Sequence, residues 1–112
     1  MKKSTQKSKK KLCRVTLYAH PREAVEEMYL CGINHASGEW DATLSSRMKW
    51  TEQGWRAIKL LPVGEPFEFK VLCSRDWHGV EKGIWGEEIA NHVIIAEKGL
   101  VVHMDIPNFR KD

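Results

Sequence analysis

Apolar runs longer than a handful of residues are missing from this chain, so no stretch of it reads as a membrane-spanning helix. Convincing 3.6-residue periodicity is missing too, which removes helical bundles from consideration. Neither a G-x-x-x-x-G-K phosphate loop nor a G-x-S-x-G elbow occurs, and 112 residues are too few for a Rossmann or TIM-barrel enzyme. Three cysteines, Cys13, Cys31 and Cys73, cannot all pair within one chain. Each lies in an apolar, strand-like stretch, where a thiol packs as a small hydrophobe. The lysine-rich start is followed by no apolar segment of the kind a secretory signal carries, so a reducing, cytoplasmic setting is expected.

Positive charge is scarce outside that start. Residues 1–11 hold six lysines and no acid, which leaves twelve cations against fifteen acids in residues 12–112, a net of −3. The reading is a solvated, disordered basic tail (1–11) followed by one folded domain (12–112). A mildly acidic body counts against a broad basic face for nucleic acid, although the tail itself suits phosphates.

What the chain does contain is short runs of period-two alternation. Cys13, Val15, Leu17 and Ala19 share one face, and His20-Pro21 ends that strand. Met28 to Cys31 reads as a buried strand closing at Gly32, and residues 47–50 as a short strand before the Thr-Glu-Gln-Gly turn. Trp55, Ala57, Ile58, Leu60 and Leu61 form the next strand, stopped by a Pro- and Gly-bearing turn. In residues 67–73, Phe67, Phe69, Val71 and Cys73 face in, while Glu68, Lys70 and Leu72 face out. Residues 74–90 read as a long loop, and 91–96 and 100–106 as two closing strands around a Glu-Lys-Gly turn. About seven short strands separated by turns predict an all-β chain: an antiparallel, immunoglobulin-like β-sandwich, with a small barrel as the alternative that patterning does not separate from it.

Five tryptophans are many for one small domain. Trp55 opens an alternating strand and is expected in the core, with Trp50 in the same packing. Trp40, Trp77 and Trp85 lie instead in loops, where an indole either plugs an end of the sandwich or stands at a binding surface. Lys70 points outward on its strand and Asn91 begins the strand after the Trp85 loop. Flat aromatic faces with an ammonium and an amide beside them suit a sugar, whose C–H face stacks on a ring while its hydroxyl rim needs donors and acceptors.

Residues 32–40 (GINHASGEW), Gly54-Trp55, Leu61-Pro62-x-Gly64, Pro66-Phe67-Glu68-Phe69-Lys70, and Trp85 with Asn91 fall in one order. In that order they resemble the starch-binding modules of carbohydrate-binding families 20 and 48, a group that includes the glycogen-binding domain of the AMP-activated protein kinase beta subunit. The resemblance spans residues 13–106. It implies a non-catalytic module that binds an α-1,4-glucan, as starch, glycogen or maltooligosaccharide, and needs no cofactor. Carried over residue by residue, it implies stacking on Trp40 and Trp85 and hydroxyl contacts from Lys70 and Asn91. Ser37-Gly38-Glu39 stands where the family has Leu-Gly, the acid after Trp85 is displaced by one to Glu87, and His92 follows Asn91 in place of Arg. Glu87 is therefore a secondary candidate, and Trp77, on the long 74–83 segment, is an alternative second platform or a third contact. The partner this implies is an α-glucan, with a glucan-active enzyme or regulator beside it and no membrane.

Other constellations are weaker. Cys31 with His35 and Cys73 with His78 do not have the spacing of a zinc finger or ribbon, so no metal site is expected. His20, His92 and His103 stand apart in the sequence and read as strand or surface histidines. Glu87 and Glu88 are adjacent, and no motif places a second carboxylate opposite them as glycoside hydrolysis requires. Two other classes stay open: a single-stranded nucleic-acid binder using loop aromatics and the lysine tail, and a protein-interaction β domain.

Overall fold

A computed structural model describes residues 11–32 and 42–110. Among these the strands are β1 (Leu12–Pro21), β2 (Tyr29–Gly32), β3 (Ser46–Arg47), β4 (Lys49–Thr51) and β5 (Gly54–Pro62). They continue with β6 (Pro66–Leu72), β7 (Glu81–Lys82), β8 (His92–Ile95), β9 (Val101–Ile106) and β10 (Asn108–Phe109). Two short 3₁₀ turns, Ala42–Leu44 and Trp77–Gly79, are the only helical pieces among the described residues. No helix there is long and apolar enough to cross a membrane.

The strands form two four-stranded sheets, β4-β5-β1-β9 and β3-β2-β6-β8, and a small β10-β7 ladder. This is the all-β sandwich the alternation predicts. The pairing is antiparallel with one exception: β9 runs parallel to β1, from Thr16 opposite Val101 to Pro21 opposite Ile106. Such a pair cannot be joined by a tight turn, and the whole intervening chain lies between its strands.

Alternation explains the core. Cys13, Val15, Leu17 and Ala19 of β1 meet Phe67, Phe69 and Val71 of β6, with Leu30, Met48, Ala57 and Met104 filling between the sheets. The stretch read as one strand over residues 47–50 divides at Met48. Its side chain is buried and its N–H donates to the Met28 carbonyl at 2.8 Å, so the chain passes there from the sheet of β3 to that of β4.

The surroundings of two residues differ from expectation. Leu72 points away from the sandwich core yet is wholly buried, because it joins Tyr29, Cys31, Ala42 and Val80 in a second apolar cluster. Trp50 lies outside the core, 63% exposed, and packs edge-on against half-buried Trp55 with ring centroids 5.5 Å apart. The segment read as one long loop also carries the 3₁₀ turn at Trp77 and the strand β7. None of the three cysteines forms a disulfide. The tail, residues 1–10, lies outside the described residues, as do Trp40 and His35.

Candidate functional site

The chain between β6 and β8 builds the site. The turn at Trp77 is set by Asp76, whose carboxylate accepts from the His78 N–H at 2.9 Å and from the Ser74 hydroxyl at 3.0 Å. Asp at such a position satisfies a backbone donor that the short turn leaves open. Trp77, the first residue of this turn, is 37% exposed.

A tighter turn follows β7. The N–H of Gly86 donates to the Gly83 carbonyl and that of Gly83 to the Glu87 carbonyl, both at 2.9 Å. Gly86 has φ +82°, a conformation costly for any residue with a Cβ. A β-turn followed by one left-handed residue is a common way to close a three-residue loop. Trp85 occupies its tip and is 87% exposed. The Glu87 carboxylate folds back over Gly83, where a Cβ would collide with it, and accepts from the Trp85 N–H at 2.9 Å. Glu87 thus fixes the backbone under Trp85.

Lys70, outward on β6, donates through Nζ to the Ile89 carbonyl at 2.7 Å. Asn91, immediately before β8, donates through Nδ2 to Glu68 at 3.3 Å. Lys70, Asn91 and Trp77 line one open cavity of about 330 Å³, together with Val80, Lys82, Glu88 and Arg110. Glu88 pairs with Lys82, and chiefly that hydrogen bond, helped by the charges of Lys82, Lys70 and Arg110, holds its carboxyl below the usual range.

Of the six residues singled out from the sequence, then, three share this cavity. Trp85 and Glu87 form the exposed turn between Lys82 and Glu88 of the lining, and Trp40 lies outside the described residues.

Glu81, next in sequence to the lining residues Val80 and Lys82, is 1% exposed and was missed by sequence reasoning. Its carboxylate accepts from the Val71 N–H at 2.7 Å and meets His92 Nε2 at 2.9 Å through both oxygens. The histidines do not stand apart either: His92 stacks on Phe69, and His20 and His103 share a 2.9 Å hydrogen bond. Only the cross-strand register of β1 and β9 reveals the second pair. Among the described residues no three His, Cys, Asp or Glu side chains gather as metal ligands would.

A second depression, about 760 Å³, lies against the other sheet, lined by Trp50, Trp55, His20, Glu23, Glu52 and neighbours. It shares no lining residue with the first.

No protein-family model matches the chain, and no curated protein matches its sequence. Among solved structures, a glycoside hydrolase family 15 glucoamylase from Hypocrea jecorina shares the fold. The TM-score is 0.62 over 89% of this chain, at 14% sequence identity. The present chain spans only 17% of that enzyme's chain. The likeness is one of fold, to a module-sized part of a carbohydrate-active enzyme.

Proposed function

We propose that this domain binds α-1,4-glucan chains and catalyses nothing. The observation that carries the reading is the grouping of Lys70, Asn91 and Trp77 around one open cavity beside the exposed Trp85 turn. An indole left 87% in water by a braced turn is a ready stacking surface. An ammonium and an amide beside it present donors to sugar hydroxyls, an amide oxygen accepts, and these contacts orient the ring rather than supply most of the affinity. The fold likeness to part of a glucoamylase is consistent with such a role, since a glucoamylase is by name an enzyme of glucose polymers.

Trp77 and Trp85 are the platforms within the described residues, with Trp40 a further candidate. Lys70 and Asn91 hold hydroxyls, and Glu87 acts by holding Trp85. Affinity for one site is modest. A maltose-sized ligand at about 0.3 kcal/mol per heavy atom reaches ~10 µM at best, and an open surface that covers one sugar face falls towards ~1 mM. Repeated sites on a polysaccharide, or tethering to a glucan-active enzyme, then raise the effective affinity.

Retention on insoluble starch tests this. The parent chain is retained and eluted by maltoheptaose, whereas Trp85→Ala and Lys70→Ala pass through with their folded circular dichroism intact. Full retention of both variants refutes the assignment. Binding that collapses steeply with added salt and prefers a single-stranded oligonucleotide to starch favours the nucleic-acid alternative.

A further inference from the structure

The depression beside Trp50 and Trp55 has no part in the glucan site. Its walls are the hairpin of β4 and β5, the end of β1 and the connection from β1 to β2, and its volume is about 760 Å³. Trp50 and Trp55 are cross-strand partners on the hairpin. Their rings meet at 60° with centroids 5.5 Å apart, so they form a corner rather than one flat platform. Trp55 packs against the core, while Trp50 stands 63% exposed. The turn between them is held by Thr51, whose hydroxyl donates to the Gly54 carbonyl at 2.7 Å and accepts from the Gln53 N–H at 3.1 Å. Gly54 follows at φ +124° and passes so near the His20 ring that a Cβ would stand 2.7 Å from it. Backbone therefore closes that wall.

The lining includes carboxylates but no lysine or arginine. Glu52, in the hairpin turn, is exposed, and its carboxylate has no hydrogen bond or ion pair among the described residues. Glu23 also lines the depression and has an interaction of its own, and His20 is taken up with His103 at 2.9 Å. We infer that this corner binds a methylated ammonium group, with Trp50 and Trp55 as its aromatic walls and Glu52 as its counter-charge. A cation close to the face of a ring is attracted by the π electrons, most strongly on Trp. A bare ammonium is compact and strongly hydrated, whereas methylation covers the charge with apolar surface that an indole meets at little cost in lost water. A pyranose stacks flat on a ring face, and two rings inclined at 60° offer it no common platform.

The test is titration of the full chain with choline and with dimethylbutanol, its uncharged analogue with carbon in place of nitrogen, followed by the NMR signal of the Trp50 indole N–H. The two ligands have the same shape and nearly the same apolar area, so the ratio of their dissociation constants reports the charge. A preference of about tenfold for choline is expected. Glu52→Gln lowers the ratio without changing the shape of the site. Trp50→Leu brings it towards one, since leucine keeps an apolar side chain but has no ring. Both variants are still retained on starch, because neither residue lines the Lys70 cavity. A short peptide bearing trimethyllysine identifies the source of the group: tighter binding than choline assigns it to a protein chain, and weaker binding to a free small molecule.

Equal affinities for choline and dimethylbutanol overturn the inference, as does a Trp50 signal that neither choline nor the trimethyllysine peptide moves. The same peptide with unmethylated lysine, if it binds as tightly as the trimethylated one, overturns it too. Maltoheptaose shifting the Trp50 indole at lower concentration than choline shows a second sugar surface there, and the ammonium assignment falls. Each of these results leaves the glucan reading at Lys70 to its own test on starch.

Discussion

The two sheets of the sandwich treat their outer faces differently. On the β4-β5-β1-β9 sheet the outward positions stay at the surface, with Ile58, Leu60 and Val101 about half or more exposed. On the β3-β2-β6-β8 sheet the outward Tyr29, Cys31 and Leu72 of β2 and β6 are buried, and only on the edge strand β8 do apolar residues, Val93 and Ile95, stay about half exposed. The difference comes from the chain between β6 and β8, together with the 3₁₀ turn at Ala42–Leu44, which folds over the second sheet and gives it a core of its own. Burying a cover also means burying its polar groups, and Glu81 and Lys82 are the result. The candidate site lies at the edge of that cover. A bare sheet face offers only a surface, while a covered one offers the turns and rims on which side chains can be held in place.

The largest expected effect would break the comparison if it failed. Leu72→Ala removes a fully buried side chain and costs about 2–5 kcal/mol, whereas Leu60→Ala on the bare face stays within about 0.5 kcal/mol. Urea unfolding of the two variants measures this directly, and equal losses contradict the account of the cover.

Next comes the buried carboxylate of Glu81, beside the lining residues Val80 and Lys82. Glu81→Ala leaves the Val71 N–H buried without its acceptor and costs about 1–3 kcal/mol. Glu81→Gln keeps a side-chain oxygen for that donor and recovers part of the loss. Thermal unfolding followed by tryptophan fluorescence orders the three proteins as parent, Gln, Ala.

The turn of residues 83–87 sharpens the contrast between fold and function. Trp85→Ala removes a side chain that packs against little, so stability moves by less than about 0.5 kcal/mol while starch retention is lost. Stability and binding thus separate on the cover, and an unfolding midpoint that falls along with binding contradicts the placing of Trp85 at a free tip.

The smallest effect belongs to the bare side. Arg22 meets Asp105 across β9 at 2.7 Å, and chiefly that hydrogen bond holds the Asp105 carboxyl below its usual 3.8. A lowered carboxyl stabilises the fold above its unfolded value and ceases to do so as pH falls through the folded one. Both side chains are more than half exposed, so the gain is slight. Asp105→Asn therefore changes stability little at pH 7 and flattens only the acid limb of the stability curve below about pH 4.

This asymmetry between the faces also governs how much was legible in the sequence. The alternation of β1 and β6 is local, so the inward residues Val15, Leu17, Phe67 and Phe69 are read correctly from spacing. Leu72 follows the same rule and its outward orientation is read correctly, but its burial is not, because its cover is supplied by residues the rule does not see. Trp50 errs in the opposite direction: an apolar residue beside a turn looks like core, yet its strand lies at the edge of the sheet.

For the site, the turn chemistry of Gly83-Ile84-Trp85-Gly86 announces an exposed loop, and Lys70 and Asn91 stand out by their places on strands. Their meeting with Trp77, Lys82 and Arg110 around one cavity depends on β7 pairing with β10, a contact of two residues per strand. A pair that short leaves no periodic signal. Glu81 was missed for the same reason, since a charged residue in a loop-like segment reads as solvated until its burial is seen.

The central claim, that the rim around Lys70 receives a glucan, is tested most directly by backbone NMR during titration with maltoheptaose. The account predicts saturable shifts at Lys70, Trp77, Trp85 and Asn91, with β1 and β5 unmoved. Saturable binding that leaves those four amides still, and shifts only residues elsewhere in the domain, contradicts it.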